Sequence, residues 1–197
     1  MSHFFTFGVR NLGYARQQHV LFDSLCFSLQ PGEMLCVHGA NGTGKSTLLR
    51  ILAGLTTPTN GHVERDPATS LHYVGHMNGL KLGLTVSENL RLIAQLAQTP
   101  LTVCSDVLVK IKLDVYHDKI VKTLSAGQKR RIALAKLLMI PRPIWILDEP
   151  LTALDKESQD FFLDQIQMHL QNKGVVIIST HQPLPLSSTS TLLLRRA

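Results

Sequence analysis

A glycine-rich segment constrains this chain more than any other feature. Residues Gly39–Ser46 read G-A-N-G-T-G-K-S and fit the pattern G-x-x-x-x-G-K-[S/T]. A short apolar run, Met34–Val37, precedes the segment, and an apolar-periodic stretch that predicts a helix from Lys45 to Ala53 follows it. Backbone N–H groups in such a loop turn inward and bind phosphate oxygens, and the helix N-terminus adds its positive dipole end. The order strand, loop, helix therefore predicts a nucleoside triphosphate site, without saying which reaction it serves.

Each position of this phosphate loop has an expected role. We expect Lys45 to reach the β- and γ-phosphates and the Ser46 hydroxyl to bind Mg²⁺. The other expected nucleotide contacts come from Gly39, Ala40, Asn41, Gly42, Thr43, Gly44 and Thr47.

The second half of the expected site is an apolar run that ends in two carboxylates. Ile144–Leu147 predicts a buried parallel strand, followed at once by Asp148 and Glu149. Ligands bind outside the carboxyl ends of such strands, so Asp148 is placed to hold Mg²⁺ and Glu149 to polarise an attacking water. An acidic strand end alone would more often cap a loop; together with the phosphate loop, it predicts a triphosphate site.

Strand and helix signals alternate along the chain, which predicts a mostly parallel sheet covered by helices. A capping box, Thr85 with Glu88, predicts the start of a helix in the middle third, where we expect a helical subdomain at about residues 79–140. The further predicted strands are residues 3–10, 19–29, 71–75 and 175–179, and the further predicted helices are residues 103–113, 127–139 and 156–172.

Composition narrows the class of protein. The 197 residues fit one domain, and 20 Lys+Arg against 14 Asp+Glu give a net charge of +6, which favours anionic partners. Three widely spaced cysteines without a C-x-x-C pair argue against a disulfide scaffold or a structural zinc site. We expect neither a signal peptide nor a transmembrane segment, since no apolar run approaches ~20 residues.

Residues Leu124–Gln128, L-S-A-G-Q, resemble the LSGGQ signature of ATP-binding-cassette (ABC) ATPases, with Ala126 in place of the first glycine. Leu151–Asp155 resembles the D-loop of that family, and Thr180-His181 resembles its switch histidine. The resemblance extends from about residue 7 to residue 185. It implies an α/β fold: a P-loop NTPase core with a mostly parallel sheet, an N-terminal antiparallel β subdomain and an inserted α-helical subdomain, in one domain over residues 1–197.

The resemblance also implies a mechanism. Glu149, His181 and Lys45 would be catalytic in a Mg²⁺-dependent ATPase, while Ser125, Gly127 and Gln128 would contact the ATP of a second copy. The working unit would be a head-to-tail homodimer with two ATP molecules between its subunits. It would move an integral-membrane permease through the segment 76–86 and the helical subdomain, from a peripheral position on the cytoplasmic face of the bacterial inner membrane.

Two positions depart from the family pattern. His76 stands where ABC ATPases usually carry a glutamine that contacts Mg²⁺, and a histidine copies an amide poorly. ABC ATPases usually stack an aromatic residue on adenine. The residue at that position here is either Tyr14 or, by ungapped counting from Lys45, Arg16, whose guanidinium plane can also stack.

Three segments and the short length of the chain carry a narrower resemblance: Y-V-G-H at 73–76, residues 145–155 and T-H-Q-P-L at 180–184. Together they resemble the ATP-binding subunits of haem exporters in c-type cytochrome biogenesis. Haem or a haem-chaperone system would then be an indirect partner. Alternatives are a subunit of another small lipid or drug exporter, and a soluble ABC ATPase that acts on nucleic acid or ribosomes. The basic triplet 129–131 is better explained as a solvated or phosphate-adjacent helix face, so we expect no nucleic-acid partner. The signature and D-loop segments argue against a P-loop kinase.

Overall fold

A computed structural model describes residues 7–17, 19–181, 184–186 and 189–195 of the chain. Residues 3–6 of the first predicted strand and residues 182–183 of the 180–184 motif lie outside the described residues.

Strands and α-helices alternate through the described residues. The strands are β1 (Phe7–Arg16), β2 (His19–Leu29), β3 (Met34–His38), β4 (Asn60–Glu64), β5 (Leu71–Val74), β6 (Ile144–Asp148), β7 (Val175–Ser179) and β8 (Thr189–Leu193). The α-helices are α1 (Lys45–Leu52), α2 (Val86–Leu96), α3 (Val103–Lys110), α4 (Ala126–Met139) and α5 (Lys156–Gln171). Short 3-10 turns at Asp114–Tyr116 and Val121–Thr123 connect α3 to α4.

The strands form two sheets. The larger sheet is parallel, in the order β5-β6-β7-β3-β8, and the smaller is antiparallel, in the order β2-β1-β4. This confirms the expected α/β class with a parallel core sheet and an N-terminal antiparallel sheet. Every residue of β6 and β7 is buried, because both faces of a parallel sheet are covered.

Alternate side chains of each central strand feed two hydrophobic cores, because successive residues of a strand point to opposite faces. In β6, Trp145 and Leu147 pack into the core built with α2 to α5, while Ile144 and Ile146 pack into the core built with α1 and the antiparallel sheet. The parallel sheet is therefore the rigid layer between the two cores, and the loops at its carboxyl edge carry the predicted site.

Local signals in the sequence located most of the elements. The capping box of Thr85 and Glu88 forms as predicted, and Gly54 follows α1 with a positive φ of 77°. β4 and β8 were not predicted. Their sequences, N-G-H-V-E and T-S-T-L-L, carry little apolar pattern, and each strand pairs at a sheet edge, where one neighbour is enough to form it.

In the described part of the chain, every helix is too short or too polar to cross a membrane.

Candidate nucleotide site

The phosphate loop connects β3 to α1 and already holds its lysine inside the loop. Lys45 Nζ donates to the carbonyl oxygens of Gly39 at 2.7 Å and Ala40 at 3.1 Å, and the residue is only 6% exposed. A Cβ on Gly39 would lie 2.5 Å from the Leu194 carbonyl oxygen, so only glycine fits beside the end of β8. Ser46 is exposed in the first turn of α1. Loop and lysine thus form a cation-lined cradle at a helix N-terminus, which suits phosphate.

Among the other loop positions, Thr43 is buried and donates through Oγ1 to the Ala40 carbonyl oxygen at 2.9 Å. Ala40, Asn41 and Gly42 are exposed, and Gly44 takes a left-handed φ of 97° as the residue before α1. Thr47 is half-buried in the first turn of the helix. All predicted loop positions therefore lie around one cradle.

Asp148 is the last residue of β6 and is almost fully buried, at 1% exposure. The Ser179 hydroxyl, on the neighbouring strand β7, donates to Asp148 Oδ1 at 2.6 Å. The second oxygen, Oδ2, is buried and has no hydrogen-bond partner among the described residues. Leaving a buried carboxylate oxygen unsatisfied is costly, so an orphan oxygen of this kind suits a cation ligand.

Glu149 is held in an unusual backbone conformation next to Asp148. Its φ is +47°, and its N–H donates to the carbonyl oxygen of Ser179 at 3.2 Å and to its hydroxyl at 3.0 Å. Its Oε1 lies 2.8 Å from Nε2 of His181, the residue two positions past the end of β7. The side chains of Glu149 and His181 are 20% and 45% exposed, so this pair faces solvent while Asp148 does not.

Two cations of α4 donate to main-chain carbonyl oxygens near the carboxyl ends of β5 and β6, and the sequence prediction was wrong for one of them. Arg130 belongs to the triplet expected on a solvated or phosphate-adjacent helix face, yet it is only 4% exposed and donates to the carbonyl oxygens of Asp148 and Glu149. Burial lowers the pKa of Arg130, although the two carboxylates oppose that shift. Burial, assisted by Arg130, also lowers the pKa of Lys136 to about 8, and its ammonium donates to the Tyr73 carbonyl oxygen.

The L-S-A-G-Q segment starts α4 with a second capping box. Ser125 N donates to Gln128 Oε1 at 2.9 Å, and Gln128 N donates to Ser125 Oγ at 3.2 Å. A Cβ on Gly127 would lie 2.6 Å from the Ala153 carbonyl oxygen, so this glycine lets the helix start approach the D-loop segment. The exposed Ser125 and Ala126 leave the N-terminal end of the helix open to a ligand or a second chain.

The two candidates for adenine stacking lie in different environments. Tyr14 is half-buried, and its ring centroid lies 6.3 Å from that of Phe22. Arg16 is exposed at the end of β1 and lines a cleft of about 270 Å³ together with Gly42 and Thr43 of the phosphate loop. The structure therefore brings Arg16 to the edge of the phosphate cradle, while Tyr14 stacks on Phe22.

His76 lies in the loop after β5 and is exposed. Its neighbour Gly75 is joined to the carboxylate segment, since the Gly75 carbonyl oxygen accepts from Arg130 Nη1 at 2.8 Å. The departure from glutamine thus falls in a segment that is anchored beside the site.

Comparisons with known proteins agree with this geometry. The family model described as "ABC transporter" matches residues 22–152. The cytochrome c biogenesis ATP-binding export protein CcmA of Agrobacterium fabrum is 40% identical in an alignment that covers 92% of each chain. The protein of the same name from Vibrio cholerae is 40% identical and aligns over 89% of this chain and 91% of its own.

A solved structure of an ABC transporter ATP-binding protein from Pyrococcus furiosus shares the fold. The TM-score is 0.82 at 24% identity, covering 96% of this chain and 97% of the other. Because the family model matches more than half of the chain and relatives align over nearly all of it, the chain belongs to the ABC transporter family, as an ATP-binding subunit that hydrolyses ATP.

Proposed function

We propose that this ATPase is the energy-coupling subunit of a membrane complex that acts in c-type cytochrome biogenesis, with haem or a haem-chaperone complex as the species moved or released. One observation carries the proposal: relatives about 40% identical along some nine-tenths of both chains are cytochrome c biogenesis export proteins. The competing exporter and nucleic-acid functions have no comparable support.

Phosphate binding falls to the loop and its lysine. When triphosphate enters, the Lys45 ammonium exchanges the Gly39 and Ala40 carbonyl oxygens for phosphate oxygens, which are stronger acceptors because they are charged. Arg16 is the favoured adenine contact, since it lines a cleft continuous with the loop.

Mg²⁺ would be held by the buried Asp148 carboxylate and the Ser46 hydroxyl, with His76 as a third candidate. The orphan Oδ2 of Asp148 is the observation that fits this ion. The ion supplies charge neutralisation at the β- and γ-phosphates when bound.

Glu149 is the proposed base. Its fixed main chain and its contact with His181 hold the carboxylate at the carboxyl edge of the sheet, where it orients the attacking water and accepts its proton. When Nε2 of His181 carries a proton, it can donate to Glu149 or to the developing charge of the γ-phosphate.

Two copies in a head-to-tail dimer would complete each site. The exposed start of α4, with Ser125, Gly127 and Gln128, presents a helix N-terminus, and such ends bind phosphate. ATP would join the loop of one copy to this helix of the other, and hydrolysis would remove the bridge.

The permease contact is proposed for the segment 76–86 and the helical subdomain, residues 79–140, in which α2 and α3 both pack on α4. Exposed apolar side chains mark this region, among them Met77 at 87% and Leu82 at 52% exposure. An integral-membrane partner on the cytoplasmic face of the inner membrane would cover such side chains.

The test is affinity purification of Glu149→Gln from detergent-solubilised membranes with Mg²⁺ and ATP, followed by mass spectrometry and a haem absorbance scan. Lys45→Ala, which should not bind triphosphate, is the matched control. Recovery of a polytopic partner together with cytochrome c assembly proteins is expected. Another permease would refute the haem role, and ribosomes or nucleic acid without a membrane protein would refute transport altogether.

A further inference from the structure

One buried guanidinium joins three parts of the molecule. Arg130, in the second turn of α4, uses three nitrogens to bind five acceptors. These acceptors are the carbonyl oxygens of Asp148 at 2.7 Å, Glu149 at 2.9 Å, Pro150 at 3.0 Å and Gly75 at 2.8 Å, and Oδ1 of Asn78 at 3.1 Å. The residue is only 4% exposed, so water competes little for these contacts.

The first set of contacts holds the backbone of the proposed base. Glu149 has a φ of +47°, a conformation that non-glycine residues keep only when their surroundings impose it. Its N–H is bound by Ser179, and its carbonyl oxygen is bound by Arg130 Nη2. The same Nη2 binds the preceding carbonyl, of Asp148. Both peptide groups of Glu149 are thus fixed: the one before it from β7 and α4, and the one after it from α4.

The second set of contacts reaches the loop after β5. Arg130 Nη1 donates to the Gly75 carbonyl oxygen and to the Asn78 side chain, which flank His76 and the exposed Met77. A guanidinium is planar and rigid, so its two terminal nitrogens cannot move independently. A displacement of the loop 75–78 is therefore transmitted to the carbonyl oxygens of Asp148 and Glu149.

We propose that Arg130 is a positioning residue for ATP hydrolysis: it sets the backbone of Glu149 and ties it to the loop 75–78. Among the described residues, the side-chain hydrogen bonds of Arg130 all go to the segments 75–78 and 148–150, and none goes to the phosphate loop or to the signature residues Ser125, Gly127 and Gln128. Its loss should leave ATP binding intact and misplace the base, and a misplacement of about 1 Å lowers turnover by about 100-fold. The inference rests on the role proposed above for Glu149.

The experiment compares Arg130→Met and Arg130→Lys with Arg131→Met. Arg131 is the matched control because it is the next residue of the same helix, and its guanidinium binds the carbonyl oxygens of Ile111 and Lys112 instead. For each purified chain, kcat is measured per functional site, counted by stoichiometric binding of a fluorescent ATP analogue, together with KM and the Kd of that analogue. A purely structural role would reduce the number of sites without changing kcat per site.

For Arg130→Met we expect kcat per site to fall about 100-fold while KM and Kd stay within about threefold of the wild-type values. Arg130→Lys should recover part of kcat, and Arg131→Met should stay near wild type. The proposal would be overturned if kcat per site in Arg130→Met were unchanged. It would also be overturned if the Kd of the analogue rose by as large a factor as kcat fell. Glu149→Gln is assayed alongside. Normal turnover in that variant would refute the role of Glu149 as the base, so a failure of that role can be told apart from a failure of the proposal for Arg130.

A double-mutant cycle keeps the test decisive if Arg130→Met does not fold. Asn78→Ala removes one acceptor of Arg130 and leaves the loop backbone in place. We expect it to lower kcat per site by about threefold or more in the wild type and to have no further effect in Arg130→Lys. Additive losses in the cycle would show that loop and base are not connected through this guanidinium.

Discussion

Acidification should destabilise the fold through one buried and one half-buried histidine near the amino edge of the parallel sheet. His72 is 6% exposed, and its Nε2 lies 2.8 Å from the Ile140 carbonyl oxygen, while His169 stacks on Trp145 with ring centroids 3.9 Å apart. Burial is the main cause that lowers the pKa of each ring, from 6.5 to about 4. Neither ring can gain a proton in the folded chain until the pH approaches 4, whereas both gain one in the unfolded chain below 6.5.

The sign and size of the effect follow from proton linkage. The unfolded chain binds more protons than the folded chain between pH 6.5 and pH 4, so the free energy of unfolding falls as pH falls through that window. At pH 5.5, one unit below the reference pKa, each ring lowers the free energy of unfolding by about 1.4 kcal/mol relative to pH 7.5. Together His72 and His169 contribute about 3 kcal/mol, a large share of the 5–15 kcal/mol typical of a domain.

The assay is urea unfolding at pH 7.5 and pH 5.5, followed by circular dichroism and by the fluorescence of Trp145, the single tryptophan of the chain. His72→Gln can still donate to Ile140, and His169→Phe can still stack on Trp145, but neither replacement titrates. Each should reduce the acid-induced loss by about 1.4 kcal/mol, and the exposed control His19→Gln should not change it. If both core variants lose as much stability as the wild type, the two rings are not the source of the acid sensitivity.

Three further predictions concern the site. Lys45→Ala should abolish ATP turnover chiefly through lost phosphate binding, measured as a large rise in the Kd for ATP; turnover like that of wild type would contradict the cradle. Ser179→Ala removes the hydroxyl that binds both Asp148 and Glu149, so we expect about 1.5–3 kcal/mol less stability and reduced kcat, both restored largely by Ser179→Thr. An unchanged urea midpoint in Ser179→Ala would refute that contact. Gly127→Ala places a methyl group against the Ala153 carbonyl oxygen, so kcat should fall without loss of helix signal in circular dichroism; full activity would mean that the D-loop moves away freely.

The sequence predicted those parts of the site that are set by local backbone chemistry. Gly39–Ser46 carries glycines, a lysine and a helix start in a fixed spacing, and Asp148 and Glu149 follow directly from a buried strand. Each pattern determines the local backbone conformation of its own few residues, independently of how distant parts of the chain pack. The same holds for the predicted capping box of Thr85 and Glu88, which needs only a hydroxyl residue and a Glu or Gln three positions later.

What the sequence could not predict depends on contacts between distant residues. Arg130 reads as one member of a basic triplet, and its burial follows from how α4 packs under β5 and β6. The choice between Tyr14 and Arg16 depends on irregularities in the pairing of β1 with β2, which fall between Val9 and Ala15. Each irregularity changes which face the following side chains take, and no count along the chain can include that change.

The position of Arg130 on α4 has a consequence for the proposed dimer. The helix begins with the L-S-A-G-Q segment, and Arg130 lies five positions after Ser125, about 7.5 Å along a helix axis. One rigid element therefore carries both the end proposed to contact the ATP of the second copy and the guanidinium that fixes Glu149. In the proposed dimer, ATP that draws this helix N-terminus toward the second copy would also shift Arg130, and with it the backbone of Glu149 and the loop 75–78. The proposed base of each subunit would then respond to the nucleotide bound by the other, and hydrolysis would wait for closure of the dimer.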